Sequence, residues 1–184
     1  MDLIGERVRL RGLRPGDAAA IAHLLGDPQV TWGLAGWARR PYSEADATAF
    51  IAADTGSAET RTWAIEVVED GDFVGVTGLH GLDWQNRNCG WGIWIGPPQR
   101  WGRGYGTEAC ILCVRYAFWE LPMAKVRLSV YEGNERARRC YEKAGFSVEG
   151  VRRRQTWREG RWLDETLMAV FSDDPRYAPP EPIR

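Results

Sequence analysis

The sequence is short of histidine, of long apolar runs and of net charge, and each shortage closes a route. His23 and His80 are the two histidines, and Cys89, Cys110, Cys113 and Cys140 the four cysteines. Cys110 and Cys113 have CxxC spacing, but neither a second CxxC nor a histidine pair accompanies them, so no metal site is expected. The cysteines read as small buried hydrophobes in a reducing compartment. Apolar runs such as residues 168–171 fall far short of the ~20 residues that cross a bilayer, and the opening residues carry no basic segment followed by an apolar one. A cytoplasmic address and no membrane association are the expectation. Lys+Arg of 24 against Asp+Glu of 25 leaves a net charge of −1, which provides no global field to draw in nucleic acid. An anionic ligand would have to be held by local geometry.

What the chain has instead is tryptophan and glycine. Its 184 residues suffice for one complete core, and of its ten tryptophans Trp32 and Trp37, in a glycine-rich stretch, suit a ligand mouth. Residues 7–11 alternate arginine with Val8 and Leu10, the period of a strand with one wet face. Asp17 can cap a helix ending at Gly26, and Ser43 a second through Ala47 and Ile51. Residues 62–69 and 73–80 form a hairpin about Asp70-Gly71-Asp72, and residues 90–96 form a strand that Pro97-Pro98 ends. A helix from Gly104, a strand over residues 125–131, and a helix from Asn134 to Gly145 follow. Residues 147–158 and 161–171 make a last hairpin about Glu159-Gly160. The expected architecture is α/β (α+β): a mixed, mostly antiparallel central sheet of about seven strands flanked by about four helices. Residues 1–172 form one domain, and residues 173–184, rich in proline, form a loose tail.

The stretch of greatest chemical content is Trp101-Gly102-Arg103-Gly104-Tyr105-Gly106-Thr107-Glu108-Ala109. Glycines at alternate positions let successive N–H groups turn inward around an anion, and the helix that follows adds its positive N-terminal end. A tight strand-to-helix turn would use the same residues for steric reasons alone. The context decides: Gly92-Ile93-Trp94-Ile95 precedes it, and Asn134-Glu135-Arg136-Ala137 leads on to Tyr141-Glu142-Lys143-Ala144-Gly145-Phe146. In this order and spacing the three blocks resemble the GNAT superfamily of N-acetyltransferases, within it the group that includes bacterial ribosomal-protein and spermidine acetyltransferases. A phosphate-hydrolysing alternative would need a Lys after the glycines, which Gly106-Thr107-Glu108 lacks.

The resemblance implies the GNAT fold, acetyl-CoA as cosubstrate and an acetyl transfer to a primary amine by direct attack in a ternary complex. The acceptor it implies is a protein N-terminal α-amine or a small-molecule amine; a non-catalytic CoA-binding sensor is the other reading. It implies that the amides of Gly102, Arg103, Gly104, Tyr105, Gly106 and Thr107 cradle the pyrophosphate, that Ile93, Trp94 and Ile95 offer backbone groups to the pantetheine arm, and that Arg139 or Lys143 lies near the adenosine phosphate. Asn134 either bonds the pantetheine or caps its helix, and the two are compatible. Tyr141 corresponds to the tyrosine that protonates the departing thiolate; a phenol of pKa ~10 can supply a proton to a thiolate of conjugate pKa ~8.5. Trp32, Trp37 and His80 are the candidates for acceptor contact. The chain departs from the pattern at Gly90, where relatives carry a glutamate base, so the proton must pass through water to His80, Asp83, Glu132 or Asp164, or the amine must need no base. Cys89 and Cys140 stand beside Gly90 and Tyr141 without a histidine neighbour in sequence, which favours direct transfer over a cysteine nucleophile. A homodimer is compatible with all of this.

Overall fold

A computed structural model describes residues 1–54 and 57–179. Among the described residues the sheet has eight strands: β1 (Leu3–Ile4), β2 (Val8–Arg11), β3 (Thr60–Val67), β4 (Phe73–Asp83), β5 (Asn88–Ile95), β6 (Lys125–Tyr131), β7 (Ser147–Arg158) and β8 (Arg161–Phe171). They lie in the order β1-β2-β3-β4-β5-β6-β8-β7, and only the β5–β6 pairing is parallel. Five helices accompany them: α1 (Ala18–Leu25), α2 (Pro28–Thr31), α3 (Glu44–Asp54), α4 (Tyr105–Trp119) and α5 (Glu135–Lys143). The mixed, mostly antiparallel plan is the expected one. β1 and α2 are additions, two and four residues long, too short for any hydrophobic period to register. α2 starts because the Asp27 carboxylate accepts from Gln29 N at 2.8 Å and Pro28 needs no donor there.

The strand period puts alternate residues into two separate cores. On one face α4 and α5 cover the sheet, where Cys110, Cys113, Val114 and Ala117 meet Val8, Ile65, Leu79 and Val126. On the other, Ile21, Leu24 and Leu25 of α1 and Ala47 and Ile51 of α3 pack on Val76 and Trp94. All four cysteines are free thiols, and Cys89, Cys110 and Cys113 are buried, which places the CxxC pair in the core. Among the described residues no helix is long and apolar enough to cross a membrane.

The central irregularity is a gap in the ladder. β5 pairs with β6 only through Asn88, Cys89 and Gly90, while its pairing with β4 continues to Ile95. Beyond Gly90 the two strands part, and residues 91–95 present an unpaired backbone edge to the space between them. Unpaired strand edges are strong hydrogen-bonding templates, so this edge is free to pair with an extended group.

The chain after β8 differs from the loose tail expected. Pro175–Tyr177 forms one helical turn, and Tyr177 is 1% exposed. Its hydroxyl donates to the Ala144 carbonyl, Trp119 Nε1 donates to its carbonyl at 3.0 Å, and Phe118 meets its ring edge-on at 5.6 Å. The docking pocket belongs to α4 and α5, so a lone tyrosine among prolines gave no local sign of it. Residues 180–184 of that expected tail lie outside the described residues.

Candidate active site

The glycine turn and the gap in the sheet line one cavity of about 370 Å³. At its mouth Gly102 and Gly104 hold φ of 77° and 87°, left-handed values that residues with a Cβ rarely adopt, and a Cβ at Gly102 would meet nothing within 4 Å. Gly104 is the N-cap of α4. Backbone N–H groups and the positive end of a helix of 15 residues therefore converge on open space. Arg103, Arg139 and Lys143 line the same cavity, together with Trp32, Ile93, Trp94, Ile95 and residues 104–107. This is a cradle with the geometry to hold an anion, followed by a slot with a free strand edge.

Trp101 opens the glycine turn, and its use is structural. Its Nε1 donates to the Ile95 carbonyl at 2.6 Å, which pins the turn to the end of β5. The Arg136 guanidinium lies 3.4 Å from the centre of the indole ring, a cation–π contact that ties the first turn of α5 to the same spot. Sequence reasoning did not single out Arg136. Its signal was present in the i, i+3 and i+4 spacing that sets Arg136, Arg139 and Cys140 on neighbouring parts of one helix surface.

α4 is anchored to the far edge of the sheet by one side chain. The Glu108 carboxylate accepts from the backbone N–H of Glu6, Arg7 and Val8, each at 2.8 Å. Being in the first turn of α4, the carboxylate also sits where the helix dipole favours it. The glycine turn is thus fastened on both sides.

Asn134 caps α5, its Oδ1 accepting from Ala137 N at 3.3 Å. Its Nδ2 faces Gly33, where a Cβ would come within 2.6 Å, so the segment after α2 passes directly over the cavity wall. That segment is strapped to the β7–β8 hairpin: Trp32 Nε1 donates to Glu159 at 3.0 Å and Arg39 to the Trp157 carbonyl at 3.1 Å. Arg158, 6% exposed, donates to the Leu34 carbonyl and lies 5.1 Å from the Tyr131 ring centre. Trp32 therefore lies on the cavity wall. Trp37 does not: it is 51% exposed and meets Tyr42 edge-on at 6.4 Å, outside both the cavity lining and the expectation.

Tyr141 lies on the cavity wall, its ring edge-on to Trp91 at 5.5 Å and tilted against Phe146 at 6.3 Å. Burial pushes its phenol well above the ordinary value, with nearby Cys140 and Cys110 adding to the effect. It stays protonated across the physiological range, a state in which a phenol can donate a proton but cannot serve as a base. Burial also raises the Cys140 thiol, whose sulfur accepts a hydrogen bond from the Thr107 hydroxyl at 3.4 Å, and pushes Cys89 up to about 11. Neither is a ready thiolate. Among the described residues no cluster of three His, Cys, Asp or Glu could hold a metal ion.

His80 lies outside this cavity, on a second one of about 230 Å³ that it shares with Gly90, Trp91 and Arg127. The other carboxylates considered as bases are engaged elsewhere. Asp83 accepts from Asn86 N and Nδ2 at 2.9 and 2.8 Å, Asp164 accepts from Arg154 N at 2.8 Å, and Glu132 accepts from Asp164 N at 3.4 Å.

A parallel β5–β6 pair that opens past Gly90, with a glycine cradle and a helix N-terminus at its mouth, defines an acyl-CoA-dependent transferase of the GNAT type. The sequence model described as "Acetyltransferase (GNAT) domain" matches residues 7–147, and the chain belongs to that family, whose general reaction is acetyl-CoA-dependent acetylation of an amine. YdaF of Bacillus subtilis (strain 168), provisionally named a ribosomal N-acetyltransferase, is 33% identical over 155 residues, which cover 82% of this chain and 83% of YdaF. Spermidine N(1)-acetyltransferase of Escherichia coli (strain K12) is 34% identical over 106 residues, 57% of this chain and 56% of that enzyme. Among solved structures, spermidine N-acetyltransferase from Vibrio cholerae in complex with CoA and spermine superposes with a TM-score of 0.80 at 23% identity, covering 91% of this chain and 96% of that one. That last likeness is one of fold.

Proposed function

We propose that this chain transfers the acetyl group of acetyl-CoA to a primary amine, a protein N-terminal α-amine or a small-molecule amine, by direct attack within a ternary complex. The observation that carries the reading is the gap beyond Gly90, an unpaired strand edge that leads from the glycine cradle to Tyr141. The amides of Gly102, Arg103, Gly104, Tyr105, Gly106 and Thr107 would bind the pyrophosphate, with Arg139 and Lys143 beside them. The free edge of Ile93, Trp94 and Ile95 would align the pantetheine arm. An amide of the same strand would donate to the thioester oxygen as it gains charge, a contribution of about 3 kcal/mol per donor in acyl transfer.

The amine lone pair forms the C–N bond, the C–S bond breaks with its electrons on sulfur, and the phenol of Tyr141 supplies the proton that sulfur needs. The raised thiols of Cys89 and Cys140 support direct transfer over an acetyl-cysteine intermediate. The cavity beside His80 carries Arg127 and Arg152 as well as Glu149, a mixture that favours an acceptor with carbonyl groups near its amine, such as a peptide N-terminus, over a bare polycation. Free cysteines accord with a cytoplasmic setting.

The test is thiol release from acetyl-CoA with a panel of free-N-terminal peptides and polyamines. Release with peptides exceeding that with spermidine is expected. Tight CoA binding with no release above background from any amine would refute the transferase reading.

A further inference from the structure

Gly90 stands on β5 where the family resemblance implies a glutamate, and the space a side chain there would fill is taken. The register pairs His80 of β4 with Gly90 of β5, so both residues face the same side of the sheet. A Cβ built on Gly90 would lie 2.2 Å from His80 Cε1, 2.6 Å from Nδ1 and 2.8 Å from Nε2. The imidazole rests on the Gly90 backbone, and only glycine leaves it room. Gly90 is also the last residue of β5 that pairs with β6, which puts the ring at the vertex of the gap. A Cβ on Gly92, next along β5 on the same face, would lie 3.9 Å from His80 Nε2, so the ring is seated over both glycines.

We infer that His80 accepts the proton that the acceptor amine loses as it is acetylated, in the place of the absent strand carboxylate. This rests on the transferase reading above. As the nitrogen lone pair forms the C–N bond, the N–H electrons remain on nitrogen and the proton passes to the imidazole. The thiolate takes the Tyr141 proton, the imidazolium returns its own to water, and water restores the proton of the Tyr141 phenol, so the cycle closes with no net proton gained or lost.

The surroundings suit a base. The imidazole is exposed on its outer side and opens on the 230 Å³ cavity whose charged groups are Arg127 from β6 and Glu149 and Arg152 from β7. Glu149 is paired with Lys125, and Arg152 with Glu165 at 3.2 Å. Arg127 donates to the neutral Asn88 side chain at 3.2 Å, and its charge acts on the ring. Desolvation and then Arg127 lower the His80 pKa below the ordinary 6.5, against a weaker opposing contact with the Trp91 backbone. At neutral pH the ring is uncharged and able to take a proton.

The experiment compares the wild type, His80→Gln, His80→Ala and the double variant His80→Ala/Gly90→Glu, with acetyl-CoA and either spermidine or a short peptide with a free N-terminus. His80→Gln is expected to lower kcat/KM about 10²-fold, to leave CoA affinity unchanged, and to remove an acid limb that the wild type shows below pH 6.5. Restoring a carboxylate in the double variant should recover at least about 10-fold over His80→Ala, because Gly90→Glu no longer meets the ring. The chain has only two histidines, so NMR titration with His23→Gln assigns the His80 ring without needing an acceptor, and its midpoint should fall below 6.5. A midpoint above 6.5, or a His80→Gln enzyme that keeps the wild-type rate and acid limb, overturns the proposal. Wild-type protein that binds CoA yet releases no thiol with any amine overturns the transferase reading instead, and the base with it.

Discussion

Replacing Tyr141 with phenylalanine removes one oxygen and little else. The ring contacts to Trp91 at 5.5 Å and Phe146 at 6.3 Å do not involve the hydroxyl, so packing and cavity shape should survive. The chemistry should not. Burial holds the phenol protonated, and without it sulfur must leave as a thiolate or wait for a proton from water. Proton transfer by a positioned side chain is worth about 10²–10⁴ in rate, and the lower figure, about 2.7 kcal/mol on the barrier, suits a leaving group as stable as a thiolate. The expected outcome is a kcat about 10²-fold lower, CoA affinity within about twofold and a melting temperature within a few degrees. The assay is continuous thiol release at saturating acetyl-CoA, with CoA affinity measured separately by calorimetry. Because Tyr141 ionises far above neutrality, the deficit should be constant from pH 6 to 9. An unchanged kcat would refute the proton-donor role, and an equal loss of CoA affinity would show that the phenol serves binding.

Other consequences follow from the same contacts. Gly104→Ala forces a Cβ onto a φ of 87°, 2.9 Å from Arg7 Nη1, and should cost about 1–2 kcal/mol of stability while weakening CoA binding more than turnover, measured by thermal melts with and without CoA. Asp17→Ala strips Arg11, 5% exposed, of the carboxylate that accepts both its Nη1 and Nη2 at 2.9 Å, leaving a buried guanidinium with Glu66, and should cost about 3 kcal/mol by urea unfolding. Burial raises the Asp17 pKa, but the hydrogen bonds from Arg11 and Arg14 N lower it further, giving a net decrease. This share of stability is present above the ordinary carboxylate range and lost as pH falls through the folded-state value, so the gap between wild type and Asp17→Ala should narrow in acid. Tyr177→Ala empties the pocket between α4 and α5 and should cost about 3–5 kcal/mol, whereas a tail without a docked tyrosine would show no change.

Local chemistry made much of the fold legible. β6, β7 and β8 begin and end where the sequence puts them, β6 because a half-buried strand writes its period directly into the chain, β7 and β8 because the Glu159-Gly160 turn divides them. Asn134 and Gly145 bracket α5 for the same reason, a cap and a left-handed stop being local requirements. The residues of the cradle were readable because backbone exposure at an anion site demands glycine at particular positions. What was not readable depended on distance. Tyr177 finds its pocket among side chains of α4 and α5, Trp37 stacks on Tyr42 instead of lining the cavity, and Arg158 is buried only because the hairpin it ends reaches Leu34.

By itself the sequence determined the donor side of this protein: an α/β sheet, a glycine turn at a helix N-terminus and a tyrosine one turn into the next apolar helix face, each enforced by residues near in sequence. What lies over Gly90 was decided by tertiary structure alone. Whether Gly90 is a loss or an accommodation depends on what lies over it, and only the β4–β5 register, ten residues of chain folded back, brings His80 there. Strand pairing is a non-local choice, so no pattern around either residue announces it.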